Sequence, residues 1–142
     1  MRAFLFTLLF SLLVSFSWAQ IPPSKDQMLV QQLMDQVEAF KAGDVDRMTE
    51  NVHDEFKWFY VTADTILLEV SGKKEFKKSM TGYFASIELV DSEIVKWVVD
   101  GNRISFQEKV SWNTSKGTRS QTSMGIYQYK DGKIYRVWYF VD

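Results

Sequence analysis

With 142 residues, of which 46% are hydrophobic and 25% charged, the chain is long enough for one domain with a buried core. A formal net charge of −1, with no lysine or arginine run shaped as a patch for phosphate backbones, argues against nucleic acid as a partner. The absence of cysteine excludes disulfides, thiolate metal sites, cysteine nucleophiles and lipid-modified cysteine.

The chain opens with MRAFLFTLLFSLLVSFSWAQ. Arg2 supplies a positive start, an apolar run extends from Ala3 to about Val14, and Ser17-Trp18-Ala19 places small residues where a signal peptidase reads. The expectation is a signal peptide at 1–19, cut before Gln20, and an exported domain at 20–142, in the periplasm or the medium. The apolar run is short for a membrane span, so no membrane association is expected after cleavage. Of the 17 basic residues Arg2 is lost, leaving 16 against 18 acidic ones and a net charge of −2.

Beyond the Pro22-Pro23 lead-in, Ser24 and Gln27 have the spacing of a capping box. Leu29, Leu33, Val37 and Phe40 then recur at helical spacing up to Gly43. Asp44 caps a second short helix carrying Val45, Met48 and Val52. From Phe56 the period becomes two: FKWFYV and ILLEV read as neighbouring strands. After Ser71-Gly72 a third helix runs through Phe76, Met80 and Tyr83, its KKEFKK stretch forming a wet face. Long strands close the chain, with EIVKWVVD and RISFQEKVSW joined at Asp100-Gly101-Asn102, and SQTSMGIYQYK and KIYRVWYFV at Asp131-Gly132. Helices first and an antiparallel sheet afterwards make an α+β layout, the helices covering one face of the sheet.

FKAGDVDRM at 40–48, HDEFKWF at 53–59, a helix-opening Gly72 and the closing GIYQYKDGKIYRVWYFVD together resemble the SnoaL-like proteins of the nuclear transport factor 2-like superfamily. The resemblance covers the mature chain. It implies a cone-shaped α+β barrel, N-terminal helices on a strongly curved and mainly antiparallel sheet, a pocket between them, and homodimers through the outer sheet face. It leaves the activity open, because members include isomerases, dehydratases, epoxide hydrolases, cyclases and non-catalytic domains. The tyrosine of ketosteroid isomerase falls here on Gln36, and its aspartate base on Trp58 or Phe59. The Arg-x-Asp pair of limonene-type epoxide hydrolases reads Lys109-Val110-Ser111, and their last-strand aspartate falls on Tyr139. Scytalone-dehydratase-like members need paired histidines, whereas His53 is the single histidine, which also argues against a histidine-built metal site. No metal or organic cofactor is expected.

Glu108 shares an alternation face with Ile104, Phe106, Val110 and Trp112. A carboxylate among apolar neighbours would have a raised pKa and could serve as an acid or base. The favoured expectation places it instead at an edge or bulge, or against an outward cation, because the resemblance aims Lys109 and Ser111 at the pocket. His53 and Asp54, near the expected rim, complete the weak catalytic candidates. A two-residue turn at Asp131-Gly132 would oppose Tyr127 to Arg136 and Gly125 to Trp138, and a three-residue loop would shift this by one. Trp138 and Phe140 are too apolar to face water and are expected under a second subunit. The first function expected is binding of a small apolar or aromatic molecule by Trp58, Tyr60, Tyr83, Lys109 and Tyr139. Alternatives are a cofactor-independent acid–base enzyme (isomerase, hydrolase or cyclase) and a dimeric association module.

Overall fold

The computed structural model describes residues 23–140; the expected signal segment and its cleavage site lie outside them. Helix α1, Lys25–Lys41, starts at a complete capping box, with Ser24 Oγ accepting from Gln27 N–H and Gln27 Oε1 from Ser24 N–H. It buries Leu29, Leu33, Val37 and Ala39. Each large aliphatic of this row contributes about 1.5–3 kcal/mol on leaving water. Asp44 caps α2, Val45–Glu50, through the Arg47 N–H. The Arg47 guanidinium pairs back with Asp35 on α1, and Asn51 reaches both Asp35 and Gln36, so the two helices are locked together by side chains. The third helix, α3, Lys73–Ser86, buries Phe76 and Met80.

Six strands form one sheet: β1 Val52–Val61, β2 Ile66–Ser71, β3 Glu88–Asp100, β4 Arg103–Thr114, β5 Gly117–Lys130 and β6 Lys133–Phe140. Their order is β2-β1-β6-β5-β4-β3. Neighbours are antiparallel except for β1 and β6, which run parallel. The sheet is therefore mixed and open, with β2 and β3 as its edges. The strand expected to begin at Phe56 begins at Val52, because Val52 already pairs with Ile134 of β6. Register shifts in β3, between Leu89 and Asp91 and between Ile94 and Lys96, bend this long strand. Helix α1 lies against β3, and α3 against β1 and β2, so the helices cover the concave side.

The last hairpin has a two-residue turn, Asp131 and Gly132 both having positive φ, and Lys130 faces Lys133. Its pairing beyond the turn is nevertheless the one shifted by a residue, as set out for a three-residue loop. A bulge leaves Tyr135 unpaired with β5, so Tyr127 opposes Val137 and Gly125 opposes Tyr139. One extra residue moves Tyr139 to the concave face, and Trp138, opposite Ile126, to the convex one.

Gly125 is where the core comes closest to the backbone. The ring of Phe106, its cross-strand partner, lies over it, and an added Cβ would sit 2.5 Å from Phe106 Cζ. Since Phe106 is buried against Tyr127, the ring has no free direction in which to yield. Gly125→Ala is expected to cost about 1–3 kcal/mol by overpacking. Urea unfolding checks this, and a midpoint equal to wild type would show that the ring moves freely.

Candidate functional site

Between the helices and the concave face of the sheet lies a cavity of about 330 Å³. The parity of β4 fixes its floor. Ile104 and Phe106 are buried in the core, so Glu108, Val110 and Trp112 follow them inward. The β1 residues Phe56, Trp58 and Tyr60 form one wall, and Phe76, Met80 and Tyr83 of α3 another. From α1 come Gln36, Val37 and Phe40, the amide oxygen of Gln36 being held by Asn51. Ser123 and Tyr127 of β5 and Val137 and Tyr139 of β6 also line it, and the exposed Gln121 stands at the rim.

Glu108 is 6% exposed and sits on an interior strand, not at a sheet edge; its pairing with β5 is regular, and the bulge between Ile94 and Lys96 of β3 lies directly across from it. It has no cationic partner among the described residues; two hydroxyls serve it instead. Ser92 Oγ donates to Oε1 at 2.5 Å, and Tyr139 Oη donates to Oε2 at 2.8 Å. The Tyr127 hydroxyl lies 3.3 Å from that of Tyr139, extending the chain of contacts. Burial pushes the Glu108 carboxyl above the ordinary carboxylate range, and the two hydroxyl donors offset only part of the rise. Burial also raises the phenols of Tyr127 and Tyr139, with the Glu108 charge second. Tyr83 shows the same two causes in the same order, which places its phenol within the field of Glu108.

Of the residues expected to line the pocket, Trp58, Tyr60, Tyr83 and Tyr139 do so. Lys109 does not. It is exposed on the convex face, where Ser105 and Gln107 precede it, and the inward places belong to Glu108 and Val110. The alignment that turned Glu108 away fails because Ile104 and Phe106 set the opposite parity. His53 also lies off the cavity. Its Nδ1 accepts the Glu55 N–H at 3.1 Å, its Nε2 is 3.8 Å from Asp131, and its ring meets the Tyr135 ring edge-on. Asp54 is exposed and 3.7 Å from Lys73. Neither converges on Glu108. Sequence reasoning missed Ser92 and Tyr127: the β3 bulges hide the parity of Ser92, whereas Tyr127 keeps the regular alternation of β5 against β4. The run Gly125, Tyr127, Tyr129 at spacing two was the available signal for the latter.

The raised carboxyl has a consequence of definite sign. Above the ordinary glutamate value of 4.5, unfolded chains release a proton that folded chains keep, so stability falls as pH rises toward the folded value. From about pH 5 to about pH 8, Glu108→Gln is expected to flatten this fall, which is bounded by about 1.4 kcal/mol per pH unit. Urea unfolding of both proteins across that range measures it, and parallel stability curves would contradict it.

A family model described as SnoaL-like domain matches residues 30–137. No curated protein matches the chain. Among solved structures, a protein with a ketosteroid isomerase-like fold from Catenulispora acidiphila, in complex with trimethylamine, superposes with a TM-score of 0.67 at 9% identity, covering 79% of this chain and 85% of that one. An M. tuberculosis LEH-like epoxide hydrolase gives 0.66 at 12% identity, covering 81% and 83%. An NTF-2 like protein of unknown function from Burkholderia xenovorans gives 0.65 at 17%, covering 80% and 82%. At these identities the likeness is one of fold. With its helices on an open, curved sheet and the domain model spanning most of its length, the chain belongs to the SnoaL-like family and has the nuclear transport factor 2-like fold.

Proposed function

We propose that this is an exported protein whose hollow binds a small, largely apolar or aromatic molecule. The observation that carries this reading is the 330 Å³ space walled chiefly by aromatic and aliphatic side chains, with polar groups gathered at the Glu108 floor and the rim. Ligand sites commonly have this make-up: an apolar lining and a few convergent polar groups. The solved relative holding trimethylamine supports the idea that the fold can keep such a space for a small molecule.

Ser123, directly across from Glu108 on β5, lines the cavity, and a larger side chain there would take up its space. Filling it with Ser123→Phe is expected to weaken binding of aromatic probes at least tenfold while the chain stays folded, as read by tryptophan fluorescence titration. Retained affinity in the filled variant would reject the hollow as the site.

A second reading, acid–base catalysis, is favoured by the Glu108–Tyr139 contact, a raised carboxyl beside a phenol at 2.8 Å. Deuterium exchange at the α-carbon of a bound ketone, followed by NMR, tests it; loss of exchange in Glu108→Gln supports it, and no exchange in the wild type opposes it.

The convex face supports assembly as a dimer. Trp138 stacks on Phe59 with centroids 5.8 Å apart, and Ile126, Met124, Phe140 and Leu68 adjoin them through the strand register. Met124, Phe140 and Leu68 are each at least 40% exposed. Trp138→Glu is expected to halve the mass seen by light scattering, and an unchanged dimer mass would exclude this face.

A further inference from the structure

We propose that the hollow is built for a small organic cation, an ammonium bearing apolar groups, with its charge against Glu108 and its substituents among the rings of Phe40, Trp58, Tyr60, Tyr83 and Tyr139. This rests on the reading of the hollow as a ligand site and names the class of ligand.

Three features converge on it. The first is charge. Among the described residues no lysine, arginine or histidine lines the cavity, so its single carboxyl has no counter-ion among them. Buried carboxylates are ordinarily paired, and an incoming ammonium supplies the missing partner. The second is acceptor capacity. A carboxylate has about four lone-pair sites, and Ser92 and Tyr139 each occupy one, leaving each oxygen able to accept again. The hydroxyls hold the carboxyl in place without neutralising it. The third is the wall. Trp58 lies between Tyr60 at 5.4 Å and Tyr139 at 5.9 Å, and Phe40 meets Tyr83 at 5.7 Å between centroids. Ring faces attract cations, and alkylated ammonium groups keep their apolar substituents in van der Waals contact with such rings.

The groups facing Glu108 leave it as the one side chain among them that gains a charge as pH climbs above the ordinary carboxylate range. Across the strands stand Ile94 and Ser92 from β3 and Ser123 and Tyr127 from β5, and Tyr139 comes from β6. Helix α1 brings Gln36, Val37 and Phe40, α3 brings Met80 and Tyr83, and β1 brings Phe56, Trp58 and Tyr60. The titratable groups in this set are phenols, and burial raises all four, so they stay neutral. Cation binding should therefore strengthen as pH rises and Glu108 ionises.

The test compares phenyltrimethylammonium with tert-butylbenzene, two molecules of nearly the same shape that differ in charge, neither of which titrates. Binding to the purified wild-type protein is followed by tryptophan fluorescence from about pH 5 to about pH 8. The cation is expected to bind at least tenfold more tightly at the upper end, with the preference shrinking toward the lower end and collapsing in Glu108→Gln. The wild-type pH series stands by itself if that variant does not fold. Equal or tighter binding of tert-butylbenzene at the upper end would overturn the cation assignment and leave the ligand site standing. Binding of neither molecule would overturn both.

Discussion

The interior of this protein depends on one constraint, the parity of β4 between β3 and β5. Ile104 and Phe106 must face the helices because they are buried in the core, on a strand flanked by β3 and β5. Once they do, the two-residue repeat carries Glu108 inward as well. A strand cannot turn one side chain over without turning its neighbours. The cost of a buried carboxyl is then met locally: Ser92 arrives from β3 and Tyr139 from β6, each with a hydroxyl aimed at one oxygen. The site is thus a consequence of the register that builds the core.

The bulges have a complementary role. Without the extra residue in β6, Tyr139 would not lie opposite Gly125, and the phenol that reaches Glu108 would face outward. The shifts in β3 likewise bring Ser92 inward while Lys96 stays on the convex side, opposite Gln107. Bending a sheet and aiming particular side chains are one operation here, because each inserted residue does both.

This explains which parts were legible beforehand. The helices were readable from caps and apolar spacing: Ser24 with Gln27, and Leu29, Leu33 and Val37, announce α1 without reference to anything distant. The turns at Asp100-Gly101-Asn102 and Asp131-Gly132 were equally local. Most of the aromatic lining, Trp58, Tyr60, Tyr83 and Tyr139, could be named because an aromatic in a curved α+β shell has few places to go. What failed was facing. The resemblance aims Lys109 inward and Glu108 outward, whereas the apolar company Glu108 keeps on its own strand points the other way, and the fold follows that company. Ser92 was out of reach for a different reason: a bulge in β3 reverses the side of every residue beyond it, and nothing in the local composition marks where the bulge falls.

The position of β6 carries a consequence for how the molecule comes into being. Among the described residues it lies between β1 and β5 and is the only strand that joins the N-terminal hairpin to the rest of the sheet. Until residues 133–140 have been synthesised, the two halves have no backbone ladder between them and the hollow lacks a wall. The sheet is therefore completed by the last of its strands to be made.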